Sequence, residues 1–180
     1  MYKIIGIAGP ARRGKDTAAN HIIHLRPAWE KASFADPIKA MLRVGLGLTD
    51  AQLHGNLKET YDPFYKRSPR HMMQTLGTEW GRELIGKNIW VNAMDKHLDS
   101  LGGTFLIPDV RFDSEADFVR EHGTLIHIIG REHIIDSDHV SENPVTIHNS
   151  DILLNNNRSL VEYLTNIELR LHELEQLWNT

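Results

Sequence analysis

The residues best suited to chemistry in this chain are Gly9-Pro10-Ala11-Arg12-Arg13-Gly14-Lys15-Asp16-Thr17, and the chemistry is the cradling of phosphate. Glycines bracket the turn, so the backbone can curl and present successive N–H groups to phosphate oxygens. Lys15 adds a cation directly after the second glycine. An apolar run, Ile4-Ile5-Gly6-Ile7-Ala8, precedes the segment, and a helix-like stretch, Ala18 to Leu25, follows it. The helix N-terminus would aim a partial positive charge at the same place. Strand, glycine-x4-glycine-lysine, then helix is the P-loop arrangement. It predicts Gly9, Arg12, Arg13, Gly14, Lys15, Asp16 and Thr17 at the phosphates of a nucleotide, with Lys15 on the β- and γ-oxygens. One position departs from the common pattern: Asp16 stands where Ser or Thr usually meets Mg²⁺, and Thr17 comes one residue late.

Phosphoryl transfer needs further positive groups, a metal and exclusion of water. Asp109-Val110-Arg111-Phe112 follows the apolar strand Thr104–Pro108. Asp109 resembles a Walker-B acid able to hold Mg²⁺, with Arg111 near the phosphates. Ser33-Phe34-Ala35-Asp36-Pro37-Ile38-Lys39 ends a second strand on the same rim. There Asp36 and Lys39 could face an acceptor and Phe34 could stack on a base, while Asp36 before Pro37 equally fits a helix cap. In a helix over 69–85, the stripe Met73, Leu76, Trp80 and Leu84 is expected in the core. Arg70, Gln74 and Thr78 form an adjoining polar row that suits a nucleoside monophosphate. Gly77 and Gly81 within it indicate close approach of a ligand or tight helix packing. Arg131 opens a polar stretch, and it is a candidate lid arginine over the transferring phosphoryl. His139-Val140-Ser141-Glu142 in that stretch lacks a metal-ligand spacing.

These groups need a frame to hold them. Strands are expected at 3–9, 30–34, 104–108, 124–130 and 151–154. Helices are expected at 15–25, 37–46, 69–85, 90–100, 113–122 and 158–178, with an irregular or short-helical excursion over 49–68. Alternation of apolar strands with helices predicts an α/β fold: a five-stranded parallel sheet with helices on both faces. Ligands then sit beyond the strand C-termini. The 180 residues suggest one domain, with an acceptor-binding helical region about 36–100 and a mobile lid about 131–149. In the last helix, Leu160, Leu164, Ile167, Leu171, Leu174 and Trp178 could form a homodimer seam, though packing of one face on the sheet fits better. Cysteine is absent, which excludes disulfides, thiol nucleophiles and Cys-ligated zinc. The net charge of −4 argues against a nucleic-acid polymer as partner. No apolar run approaches a membrane span, and Met1-Tyr2-Lys3 enters a strand directly, so a cytoplasmic protein without a leader is expected.

Together these motifs resemble the bacteriophage deoxynucleoside monophosphate kinases, which belong to the P-loop nucleotide kinases. The resemblance rests on Gly9 with Arg13-Gly14-Lys15-Asp16-Thr17-Ala18-Ala19, Phe34-Ala35-Asp36-Pro37-Ile38-Lys39 and Leu76-Gly77-Thr78-Glu79-Trp80-Gly81-Arg82. Asp109-Val110-Arg111-Phe112 with Glu115-Ala116, and His139-Val140-Ser141-Glu142, complete it. It covers most of the chain, in order, from residue 4 to about 155. It implies a three-layer P-loop kinase fold, ATP with Mg²⁺, and transfer of the γ-phosphoryl to a deoxynucleoside monophosphate, in the host cytoplasm if a phage encodes the protein. It also accounts for Asp16, because Lys-Asp-Thr is that family's own variant. Arg13 departs from it, since the family often carries Ser there. On this reading some combination of Asp16, Thr17 and Asp109 holds the metal, Arg70 and Arg111 orient the acceptor phosphate, and Arg131 neutralises developing charge. Similar Lys-Asp loops occur in phosphomevalonate kinases, and Asn155-Asn156 is similar to a feature of dephospho-CoA kinases, so a small-metabolite kinase stays open. A non-catalytic nucleotide-binding switch needs only the loop.

Overall fold

The structure, a computed structural model, describes residues 2–10, 13–130 and 145–178. In chain order the elements are β1 (Tyr2–Ala8), α1 (Lys15–Leu25), β2 (Glu30–Lys31), α2 (Asp36–Leu46), α3 (Asp50–Leu53) and α4 (Pro69–Thr75). A π-helical segment (Leu76–Ile85), α5 (Ile89–Leu101), β3 (Gly103–Val110), α6 (Asp113–His122), β4 (Gly123–Ile129), β5 (Ile152–Asn155) and α7 (Leu160–Trp178) follow. They fall into two compact units, Met1–Ala32 with Leu98–Thr180, and Ser33–His97.

The first unit is built on a five-stranded sheet in the order β2-β3-β1-β4-β5, with every pairing parallel. Side chains alternate across a strand, and β1 shows what that achieves. Ile5 and Ile7 join Leu106, Ile126, Ile128 and Leu154 beneath Ala18, Ala19 and Ile22 of α1 and Tyr163, Ile167 and Leu171 of α7. Gly6 points the other way, toward α6, where a Cβ would meet Val119 Cγ1 at 2.7 Å. Helices therefore cover both faces, which is the three-layer arrangement expected. The apolar stripe of α7 is occupied by its own sheet: Ile167, Leu171 and Leu174 are buried there.

Two strands differ from expectation. β2 contains only Glu30 and Lys31, not residues 30–34. β3 does not stop at Pro108; it runs on through Asp109 to Val110. The register explains how: Gly6 pairs with Ile107 and Ala8 with Val110, so Pro108 and Asp109 stand opposite a single residue. Proline cannot donate to the ladder, and a bulge absorbs it while the strand continues.

The second unit is helical, and its principal departure from expectation is the π-helical segment. A continuous α-helix over 69–85 would bury Met73, Leu76, Trp80 and Leu84 together. Instead the wider turn rotates the faces after Thr75. Gly77, Thr78 and Gly81 are buried, while Trp80 is 36% and Leu84 77% exposed. Both glycines serve packing. A Cβ on Gly77 would lie 2.9 Å from Ile38 Cδ1, and one on Gly81 would lie 2.6 Å from the Trp90 ring. Trp90 Nε1 and Arg82 Nη1 both donate to the Gly77 carbonyl, at 2.7 and 2.9 Å.

Candidate active site

The candidate phosphate loop begins at the C-terminal end of β1. Gly9 has φ +138°, and a Cβ there would meet the Ile128 carbonyl at 2.8 Å. Gly14 has φ +95° and immediately precedes α1. Both conformations belong to the left-handed side of the map that glycine alone adopts freely. Lys15 folds back along the turn, its Nζ donating to the Gly9 and Pro10 carbonyls at 2.7 and 2.8 Å. Asp16 and Thr17 stand exposed in the first turn of α1. Arg13 Nη1 donates to the Gly130 carbonyl at 2.8 Å, just beyond β4. A cavity of about 300 Å³ is lined by Gly14, Lys15, Asp16, Thr17, Asn156, Leu160 and Tyr163.

β3 and β4 flank β1 in parallel, so Asp109 and Gly130 emerge on the same edge as the loop. One carboxylate oxygen of Asp109 is buried. Arg111 follows on a turn held by Glu115, a carboxylate that is itself 2% exposed. It accepts from the Arg111 and Phe112 N–H groups at 2.9 and 3.3 Å, closing the start of α6 as a carboxylate at the third helical position does.

In the second unit, Asp36 is the first residue of α2 and not its cap. Its Oδ2 accepts from the Ser33 N–H at 2.9 Å, and its Oδ1 lies 3.8 Å from Lys39 Nζ. Lys39 Nζ also approaches His54 Nδ1 at 3.5 Å. Burial, with the charge of Lys39, holds His54 below the usual imidazole range. Arg70 pairs with Glu59 at 3.1 Å. Gln74 is half-buried. Phe34 is 2% and Thr78 7% exposed, so in this conformation neither offers a ligand appreciable surface. Burial of Thr78 follows from the π-helical rotation, which takes it off the row shared with Arg70 and Gln74. Arg12, Arg131 and His139-Val140-Ser141-Glu142 lie outside the described residues.

A polar cluster fixes the chain after residue 144. Arg120 of α6 grips Asp151 with two nitrogens, Nε to Oδ1 at 2.9 Å and Nη2 to Oδ2 at 2.8 Å. His127 Nε2 donates to the same Oδ2 at 3.0 Å. Nη2 of Arg120 also donates to the Thr146 carbonyl, and Asp113 accepts from the Thr146 N–H and hydroxyl. Burial alone would raise the Asp151 carboxyl, but the Arg120 guanidinium and the His148 N–H outweigh it and hold it at about 2. Burial lowers His127. The mobile lid expected over 131–149 is thus anchored from Val145 onward, with Val145 buried and Thr146 tied to α6. Among the described residues no group of three acidic or histidine side chains gathers as a metal site, and no helix is long and apolar enough to cross a membrane.

A family model described as deoxynucleotide monophosphate kinase matches residues 52–167. The chain is similar to a protein of Acanthamoeba polyphaga mimivirus provisionally named a deoxynucleotide monophosphate kinase: 34% identical over 181 residues, 91% of this chain and 93% of that protein. It is also similar to the deoxynucleotide monophosphate kinase of Enterobacteria phage T4, 31% identical over 113 residues, 59% of this chain and 46% of the phage protein. Among solved structures, a gluconokinase from Sinorhizobium meliloti 1021 shares the fold, with TM-score 0.52 and 14% identity over 98% of this chain and 95% of that one.

Proposed function

The chain belongs to the deoxynucleotide monophosphate kinase family, and on that premise we propose that it transfers the γ-phosphoryl of ATP to a deoxynucleoside 5′-monophosphate, giving dNDP and ADP. The observation that carries this reading is the loop before α1: left-handed glycines at 9 and 14, a helix N-terminus, and Lys15 lying along the turn. Backbone N–H groups there suit phosphate oxygens. Lys15 exchanges its two carbonyl partners for the β- and γ-oxygens, and Arg12 and Arg13 are proposed to add positive charge for the same phosphates. The donor set also fits Mg²⁺, a hard cation that takes oxygen ligands: the carboxylates of Asp16 and Asp109 and the hydroxyl of Thr17 would hold it. When bound, that ion neutralises charge across the β- and γ-phosphates.

Asp36, Lys39, Arg70 and Gln74 of the second unit serve the acceptor nucleotide, with Arg70 at its phosphate. Phe34 and Thr78 complete that set only where the chain moves enough to expose them. Arg111 orients the acceptor phosphate together with Arg70, and Arg131 neutralises charge developing on the transferred group. The acceptor phosphate is already ionised near neutral pH, so no strong base is required, and catalysis is positioning and electrostatics. A cytoplasmic location and small-molecule partners belong to the same proposal.

The test is ADP release from ATP and Mg²⁺ with each dNMP and NMP in turn. Acceptor-dependent ADP formation with at least one dNMP is expected. Tight ATP binding with no acceptor-dependent ADP from any dNMP would overturn the proposal. Turnover only with phosphomevalonate or dephospho-CoA would replace the acceptor.

A further inference from the structure

We propose that Asn156 and Tyr163 are positioning residues for the phosphate donor, each holding one carbonyl of the loop so that the next N–H is aimed at phosphate. This rests on the reading of residues 9–17 as the donor loop. Asn156 Nδ2 donates to the Arg13 carbonyl at 2.9 Å, and Tyr163 Oη donates to the Gly14 carbonyl at 3.1 Å. The two carbonyls are consecutive. In a planar trans peptide the C=O and the following N–H point in opposite directions, and none of the described peptides is cis. Fixing the Arg13 carbonyl therefore fixes the N–H of Gly14, and the Gly14 carbonyl, which Tyr163 holds jointly with the Ala18 N–H of α1 at 2.9 Å, fixes the N–H of Lys15. These are the last N–H groups of the loop and the first of α1, where a phosphate would be received.

Both donors are held by structure that does not depend on the loop. Asn156 is 5% exposed, and its own N–H continues the ladder by donating to the Ile129 carbonyl at 2.9 Å. Tyr163 is 1% exposed, and its ring belongs to the core shared by β1, α1 and α7. Asn156 and Gly14 are interlocked: a Cβ on Gly14 would lie 2.5 Å from Asn156 Nδ2. The second glycine is thus required twice, by its φ and by its neighbour. Arg13 ties the same turn to Gly130 from the other side. A loop that turned either carbonyl inward would leave a buried donor without its acceptor, which is costly. The arrangement is preorganised, and preorganisation appears as ligand affinity.

The variants are Tyr163→Phe, which removes one oxygen and keeps the buried ring, and Asn156→Asp, which turns the donor facing the Arg13 carbonyl into an acceptor. Binding of inorganic tripolyphosphate, measured calorimetrically, probes the loop without any base or sugar. Expected is a rise of about tenfold in the tripolyphosphate Kd for either variant, the size of one lost buried hydrogen bond. The KM for ATP should rise in parallel, while the KM for the dNMP stays unchanged. A purely structural role would lower Tm and leave the tripolyphosphate Kd of the folded protein unchanged, which would overturn the inference. If Asn156→Asp fails to fold, Tyr163→Phe decides alone. Should the parent protein bind no tripolyphosphate, the reading of the loop falls, and the inference with it. Binding by the parent with equal binding by both variants defeats the inference only.

Discussion

Asp151→Asn should destabilise the first unit in a way that depends on pH. The Asp151 side chain is 1% exposed and carries a bidentate Arg120, the His127 Nε2 proton and the His148 N–H. Its carboxyl titrates at about 2 in the folded protein against 3.8 for an ordinary aspartate. At about 1.4 kcal/mol for each pH unit, the ionised form is worth roughly 2–3 kcal/mol of folding free energy. The sign follows from the direction. The folded value is depressed, so this stability is fully present above about pH 4 and is lost as pH falls toward 2. Removing the charge also costs Arg120 its buried partner, and breaking such a pair costs about 3–5 kcal/mol; the Asp117 carboxylate and the Thr146 carbonyl, which Arg120 keeps, hold the loss to the lower end. At neutral pH a loss of about 3 kcal/mol lowers Tm by roughly 6–12 °C in a chain of this length. Burial lowers His127 as well, so below its ordinary 6.5 the unfolded chain takes that proton first and both proteins weaken; the variant weakens more, because it lacks the Asp151 carboxylate that holds the imidazole up, so the gap is kept or widened toward pH 5 before protonation of Asp151 closes it. Calorimetry of parent and variant from pH 7 to pH 2.5 measures the gap. It should be wide at pH 5–7 and narrow at the acid end. A gap that is absent at pH 7, or constant down to pH 2.5, would refute the ion-pair account.

Three further outcomes follow from the same contacts. Lys15→Ala should lower kcat by about 10²–10³, the usual effect of deleting one electrostatic donor, with little change in Tm; near-normal turnover in steady-state assays would remove Lys15 from the mechanism. Asp16→Asn should shift the Mg²⁺ concentration needed for half-maximal rate, and an unchanged titration would assign the metal to Thr17 and Asp109. Gly81→Ala drives a methyl into the Trp90 ring, 2.6 Å away, so urea unfolding followed by tryptophan fluorescence should show a loss of about 1–3 kcal/mol; an unchanged midpoint would mean that the ring yields freely.

The glycine–lysine turn before α1 was legible because everything that defines it is local. Two glycines, a lysine and the flanking apolar and helical runs lie within about 20 consecutive residues, and each has a conformational reason readable from its own side chain. Strands β1, β3 and β4 were legible for the same cause, since apolar runs such as Ile4 to Ala8 report burial on both faces. Their ends were less so. Pro108 reads as a stop, and only the pairing of Ile107 and Val110 with Gly6 and Ala8 shows the bulge that carries β3 past it. Within 69–85 the 3.6-residue template gave the wrong face, because nothing in the composition of Leu76–Ile85 announces a wider turn. Its cause is tertiary: Gly77 and Gly81 let Ile38 and Trp90 come close.

The groups that hold the site were illegible for a different reason, which is distance along the chain. Asn156 and Tyr163 reach carbonyls 143 and 149 residues before them. Asp151 meets Arg120 from 31 residues away and His127 from 24. A single sequence marks Asn156 as a loop asparagine and Tyr163 as one more apolar position of an amphipathic helix. Both become informative only once β5 lies beside β4 and brings the start of α7 under the loop. Glu115 lies between these cases. It stands three residues after Phe112 and could be expected to close the start of α6, but its hold on the Arg111 N–H depends on the turn that leaves the bulged end of β3. On the proposed reading the donor-side groups are local and exposed, as Asp16 and Thr17 are, whereas the groups that hold their turn, Asn156 and Tyr163, are remote and buried. Substitutions at the first set should change chemistry with little loss of stability, and substitutions at the second should show how much of the loop's affinity comes from being held in place.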